Sequence, residues 1–345
     1  MTRKERVFNT VKRKPADYPP YHIDFTGILR EKTAKRLKID LDYIDNSIGD
    51  HFIHFDFLPP KTFEPEFISN TRWKDEFGII WDTTNYQYGD WNIVHYPLQS
   101  KSDLKNYTWP DPHDTDGRFK HLYDRLSINN TRFVMFKTSD IFHMALQLCS
   151  FEELLVKMAT EPSFIHELFD QLLEFLLGIV EELPPEVDGC KFLADIGTQK
   201  GLCISLDMWR EFVKPRSKVL YEACKKRGFI VEKHSCGDNM DLLPDLIELG
   251  VDIYDPVQPE VQDITEMKKK YGKDITLLGG LGAQSTIPNG TPEDVKAEVF
   301  RTYDILGKDG GYIISPAGSM PAETPVENVL ALIEACQSLC PEYTE

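Results

Sequence analysis

The chain has 345 residues, 41% hydrophobic and 28% charged, and its 39 basic against 56 acidic side chains give a net charge of −17. That is enough apolar material for a large core, and the acidic balance opposes a nucleic-acid partner, whose phosphates demand a basic footprint. No apolar run approaches the roughly 18 residues of a membrane span, so no membrane partner is expected either.

The N-terminal MTRKERVFNTVKRKPAD carries charge without an apolar h-region, so it reads as a solvated helix and not as a signal peptide. Seven cysteines in a chain without an export signal point to reduced thiols and a cytoplasmic location. Two strand candidates follow, PPYHIDF (19–25) and DHFIHFDFL (50–58). The segment 60–125 is rich in Trp, Tyr, Asp and Pro, and TWPDPHDTDG reads as turns. We expect an insertion at the mouth of the fold, not a separate domain.

From about residue 130 a regular alternation sets in. The β-rich runs RFVMFKTSD, GCKFLADIGTQ, FIVEKHSC, VDIYDPVQP, ITLLGGLGA and GYIISPAG each turn polar or Gly/Pro-rich at their C-terminal ends. Helical patterns lie between them: 151–183, punctuated by Pro162, then 206–227, 239–249 and 263–271. Thr291-Pro292 and Thr324-Pro325 each place a capping hydroxyl before a helix-opening proline. Glu327, three after Thr324, completes an expected capping box. These βα units, with the two upstream strands, predict an α/β fold: a TIM (β/α)8 barrel. It forms one domain over 1–345 with an N-terminal elaboration. A doubly wound sheet is the rival, but Gly279-Gly280-Leu281-Gly282 is too short for a dinucleotide fingerprint.

In such a barrel the site lies at the C-terminal ends of the strands. His234-Ser235-Cys236-Gly237 ends one of them, and residues i and i+2 of a strand share a face. His234 and Cys236 therefore point an imidazole and a thiolate at one place, which suits zinc. Asp195, at another strand end, is a candidate for substrate binding or for orienting a ligand, because a lone buried carboxylate is costly. Asp140, His143, Gln199, Asp255 and Gln258 also fall at strand ends, and His22, His51 and His54 are possible further ligands. A packed histidine and a buried thiol remain the plainer alternative for His-x-Cys alone. No P-loop, CxxC or Gly-x-Ser-x-Gly occurs.

DIGTQKGLCISLDMWREFVKPR, HSCG, LIELGVDIYDPVQPE, LLGGLGAQ and GGYIISPAG with TPVENV follow one another in this order. Together, over roughly 130–340, they resemble the uroporphyrinogen decarboxylase superfamily, which includes corrinoid-dependent methyltransferases. The resemblance implies a TIM barrel. The decarboxylases carry Met-Arg-Gln-Ala-Gly-Arg after an early proline, and its arginines hold substrate carboxylates. Here the stretch is Pro20-Tyr21-His22-Ile23-Asp24-Phe25-Thr26-Gly27, without an arginine before Arg30. Asp24 and the net charge suit a polycarboxylate badly.

The methyltransferase branch fits better through His-x-Cys, where that His, that Cys and a later Cys hold zinc. The later Cys aligns with Gly318, and no cysteine lies between Cys236 and Cys336. The third ligand is thus open among Glu323, Asp195, His143 and His22.

The resemblance therefore implies a methyltransferase moving a methyl group between a small substrate and a separate corrinoid protein. Its catalytic residues would be Asp195, His234 and Cys236, and Zn2+ would sit on His234, Cys236 and a third group such as Glu323. His22, Asp24, Asp140, His143, Gln199 and Gln258 would bind substrate, and the 60–125 insertion would help dock the corrinoid partner. A decarboxylase (carboxy-lyase) of tetrapyrrole metabolism, or a corrinoid- or tetrapyrrole-binding protein without turnover, are the other readings.

Overall fold

The computed structural model describes residues 1–84 and 91–340. Seven parallel strands form one sheet in chain order: β1 (Phe52–Asp56), β2 (Phe133–Ser139), β3 (Gly189–Leu193), β4 (Ile230–His234), β5 (Ile253–Val257), β6 (Thr276–Leu281) and β7 (Tyr312–Pro316). Sequential parallel neighbours joined by helical crossovers curl the sheet into a barrel.

The gap between β7 and β1 is taken by residues 20–25. The His22 N–H donates to Ile314 O (2.9 Å), the Ile314 N–H to Pro20 O (3.0 Å), and the His51 N–H to Tyr21 O (3.2 Å). Tyr21 makes an isolated parallel bridge with Ile314, not a ladder. Pro19 and Pro20 explain why: neither has an N–H to give.

Period-two alternation sorts the barrel interior into layers. At the N-terminal end Phe52, Phe133, Met135, Ile230, Ile253, Leu278 and Ile313 form a separate apolar cluster with Val7 and Val11. Those valines belong to the helix Arg3–Val11, started by a capping box between Thr2 and Glu5, so the first helix plugs the lower mouth. One step higher the inward residues become His54, Lys191, Glu232 and Asp255. Outward residues such as Phe136, Phe192, Val231 and Tyr254 pack under the helices in the main core.

The helices largely follow the predicted punctuation. Pro162 separates Phe151–Thr160 from Pro162–Glu182, and 206–227 divides into Leu206–Phe212 and Lys214–Lys226. Thr291 caps Pro292–Leu306 in a capping box with Asp294. The expected box at Thr324 does not form. Pro325 itself takes the cap position of Val326–Ser338, leaving the hydroxyl one residue too early to reach the first turn. The Thr324 Oγ1 is buried without a partner, and Glu327 faces Arg36 at 3.8 Å. No helix of the described residues is long and apolar enough to cross a membrane.

The stretch after β1 contains a four-stranded antiparallel sheet built from 66–67, 72–74, 80–82 and 92–95. Arg118, fully buried, fastens its base by donating to both oxygens of Glu76 (2.9 Å each) and to Leu58 O (2.9 Å). Phe77 and Trp109 pack on Phe175 of the helix Pro162–Glu182, so the insertion leans on the barrel's outer layer.

His51 stands where the barrel closes. Its Nδ1 accepts the Tyr21 N–H (3.3 Å), and its Nε2 lies 3.2 Å from the Arg6 guanidinium. Burial, and then Arg6, hold its pKa well below the usual imidazole value. Below about pH 6.5 the unfolded chain binds a proton here that the folded chain refuses, so stability falls on acidification by up to about 1.4 kcal/mol per pH unit. Urea unfolding between pH 7.5 and 5.5 should show a shallower loss for His51→Gln than for the unaltered protein.

Candidate active site

β4 reads Ile230-Val231-Glu232-Lys233-His234, and its alternation puts 230, 232 and 234 inside the barrel. His234 is the last strand residue and Cys236 follows on the same side. The chain then turns at Gly237 (φ 84°), where a Cβ would lie 2.4 Å from the backbone of Gly197, so only glycine permits this approach. Gln258 Oε1 accepts the Gly237 N–H (2.9 Å), and the Asp195 Oδ1 accepts that of Cys236 (3.0 Å). The loops after β3, β4 and β5 are thereby locked together.

The lock brings three donor atoms to one point. His234 Nε2 lies 3.5 Å from Cys236 Sγ and 3.6 Å from Asp195 Oδ1, and all three ligand atoms fall within 4.8 Å of one another. Zinc bonds of about 2.0–2.3 Å at a tetrahedral centre require nitrogen–sulfur and nitrogen–oxygen edges of about 3.4–3.6 Å. The two edges measured from His234 are close to these values, and the three side chains are grouped so that they could hold a metal ion.

Beneath the triad lies a buried chain of charge. His234 Nδ1 is 2.5 Å from Asp255 Oδ2, and Lys191 Nζ is 2.5 Å from the same oxygen. Lys191 also reaches Glu232 Oε1 at 2.8 Å. Burial opposes ionisation of Asp255, but Lys191 and His234 hold its pKa far below the carboxylate range. Burial likewise opposes a charge on His234, yet Asp255 and then Cys236 push its pKa up to about 10. Burial pushes Glu232 upward against the pull of Lys191. With Nδ1 committed to a carboxylate, Nε2 is the nitrogen left for a metal, which must displace its proton.

His234 and Cys236 line a cavity of about 500 Å3, together with His22, Asp24, Asp50, His54, Lys191 and Gly318. Gly318 has φ 107°, and a Cβ there would meet nothing within 4 Å. The position aligned with the absent cysteine therefore does face this cavity, and the carboxylate grouped with His234 and Cys236 is that of Asp195.

The remaining expected residues divide. His22 and Asp24 line the cavity. Gln258 is buried and braces the Gly237 turn. Asp140 forms a buried ion pair with Lys233 (2.6 Å) and caps the helix Ile141–Cys149 through the His143 N–H. The ring of His143 is lowered in pKa by burial, and its Nδ1 is buried without a partner. Gln199 is exposed beside the small ribbon formed by Gly197–Thr198 and Gly201–Leu202. Glu323 is exposed and lies outside the metal cluster. Sequence reasoning passed over Lys191, Glu232 and Asp50, and left Asp255 undecided. The signal was present in G-C-K-F-L and I-V-E-K-H, where every second residue shares a face. Of residues 60–125 only Arg125 lines the cavity among the described residues.

A TIM barrel with a histidine, a cysteine and an aspartate clustered at its strand ends is consistent with the family match. The chain belongs to the uroporphyrinogen decarboxylase (URO-D) family, matched over residues 83–339. Within it, the chain is similar to the methylated-thiol–coenzyme M methyltransferase of Methanosarcina mazei, 26% identical over 247 residues, covering 70% of this chain and 64% of that protein. It is also 26% identical over 133 residues to the methylcobamide:CoM methyltransferase MtaA of Methanosarcina barkeri, 38% of this chain and 37% of that one. The matched stretches thus span less than two thirds of either relative. A solved methyltransferase from Methanosarcina mazei shares the fold, with TM-score 0.76 over 98% of this chain and 99% of that chain at 16% identity.

Carboxylates behind metal-bound histidines typically contribute about 10–100-fold in affinity. Chelator competition should therefore show Asp255→Asn binding zinc about 10–100-fold more weakly, although no first ligand has changed.

Proposed function

We propose that this chain is a zinc-assisted methyltransferase that moves a methyl group between a small substrate and the cobalt of a separate corrinoid protein. The observation that carries the reading is the spacing of Asp195, His234 and Cys236, which matches two edges of a zinc tetrahedron at the mouth of the barrel. The two curated relatives, whose names specify methyl transfer to coenzyme M, one of them from a methylcobamide, support it.

Zinc, when bound, supplies Lewis acidity and keeps a ligating thiol deprotonated. The chain does the rest. Cys236 and Asp195 provide two anionic donors, and the Asp195 carboxylate is held in place by the Cys236 N–H. Asp255 fixes the tautomer and direction of His234. Lys191 compensates the buried carboxylate beneath, so the site does not carry an unbalanced anion. Replacing a thiolate by a carboxylate lowers electron donation to the metal and leaves it a stronger Lewis acid. That favours activation of a methyl donor over alkylation of a thiol.

The cavity lining counts against a polycarboxylate substrate. Asp24, Asp45, Asp50 and Asp56 line it beside Arg30, Arg125, Lys137 and Lys191, and three of those cations are already paired, Arg30 with Asp45 (2.5 Å), Lys137 with Asp56 (3.2 Å) and Lys191 with Asp255 (2.5 Å). Incubation with uroporphyrinogen should release no carboxyl groups.

Purified protein should carry about one zinc per chain. Cys236→Ala and Asp195→Ala should each weaken zinc binding by about 100-fold or more, since three ligands leave none to spare. Methyl transfer to or from cobalamin should fall with zinc occupancy. Full activity in the metal-free protein would sink the reading.

A further inference from the structure

The cavity lined by His234 and Cys236 contains a second prepared group. The Nδ1 of His22 lies 2.9 Å from Asp50 Oδ2. That carboxylate cannot swing away, because its oxygens also accept the N–H groups of Ile23 (2.8 Å) and Phe52 (2.7 Å). The imidazole is thus held in one orientation, while no described residue hydrogen-bonds its Nε2. The ring of His54 stands 4.5 Å from that of His22, and its Nε2 is buried without a partner. Buried polar atoms left unpaired are rare and call for a ligand or water. Two histidines on one cavity therefore have unused ring nitrogens, one of them backed by a carboxylate.

We propose that His22 is the proton donor to the leaving oxygen of a substrate of the class R–O–CH3, with Asp50 as its positioning residue. The inference rests on the methyltransferase reading and specifies its methyl donor. Burial opposes a charge on His22, but Asp50 overrides it and raises the pKa above the ordinary imidazole value. His54 stays neutral, lowered first by burial and then by His22 and Lys191. Asp50 thus favours the charged, donating form of His22, while burial favours the neutral form of its neighbour.

Leaving-group chemistry selects oxygen. A thiolate leaves unprotonated, and an amine leaves neutral from an ammonium centre. An alkoxide or phenoxide is too basic to leave at neutral pH without a proton or a Lewis acid. In the step, the C–O bond breaks and its electron pair stays on oxygen, which takes the Nε2 proton of His22. The methyl carbon bonds to the cobalt(I) of the corrinoid substrate, which provides the electron pair and is oxidised to cobalt(III). Solvent reprotonates His22. Asp24, hydrogen-bonded by Ser319 (2.7 Å), completes the polar wall.

The test uses the zinc-loaded full chain, cob(I)alamin as acceptor, and aryl methyl ethers of graded phenol acidity. The unaltered protein should demethylate the series. His22→Gln should lose about 100-fold on the methyl ether of phenol, the usual scale for a general acid, but under about 10-fold on that of 4-cyanophenol, which needs the proton less. Zinc content should be unchanged. An equal loss across the series would mark His22 as merely structural and overturn the proposal. Turnover of a methyl thioether or a quaternary methylammonium, or transfer from methylcobalamin to a thiol, with no ether reacting would overturn it and leave the methyltransferase reading intact. No transfer with any donor or acceptor would overturn both.

Discussion

A carboxylate buried inside the barrel, Asp255, governs the arrangement of the site. It accepts from His234 and from Lys191 through one oxygen, and Lys191 in turn meets Glu232. Placing such charges out of water is tolerable only if each finds a partner. The partners come from the inward positions of three adjacent strands, so the barrel must keep its register for any of them to survive. The histidine at the top of this chain then has one nitrogen assigned to Asp255 and the other facing Cys236 and Asp195.

The same alternation divides the interior into a dry floor and a charged upper half. The floor, sealed by Val7 and Val11, supplies hydrophobic stabilisation that does not depend on the site above. The upper half trades packing for chemistry, with His54, Lys191, Glu232 and Asp255 where another barrel would place aliphatic layers. The N-terminal segment serves both ends. Its helix closes the bottom, and its next residues complete the wall and bring His22 and Asp24 into the cavity.

Where a second cysteine is absent, the fold brings a carboxylate to the His234/Cys236 pair. Gly318 faces the cavity but offers no donor, whereas Asp195 from the loop after β3 comes within 4.8 Å of the ligand atoms of His234 and Cys236. Its carboxylate is steadied by a backbone N–H of the neighbouring loop, an interaction that ties ligand placement to loop packing. Glu323, close to Gly318 in the chain, points to no such place.

Much of this was legible in the residues. The strand rhythm from 130 onward, the punctuation by Pro162 and Thr291, and the His234/Cys236 pair follow from local periodicity and turn chemistry, which the chain carries with it. The period-two pattern also carried a signal for Lys191 and Glu232 that was passed over, since their meaning depends on neighbours. Other features were settled only in three dimensions. Whether Asp195, 39 residues before His234 in sequence, approaches it depends on two strands lying side by side. Whether Asp140 serves substrate or Lys233, and whether Thr324 caps a helix, turned on contacts and single-residue offsets that composition does not encode. The sequence by itself determined a barrel with a histidine and a thiol at a strand end. The tertiary structure decided which carboxylate joins them and which one stands behind, because those distances arise from packing between strands and not along them.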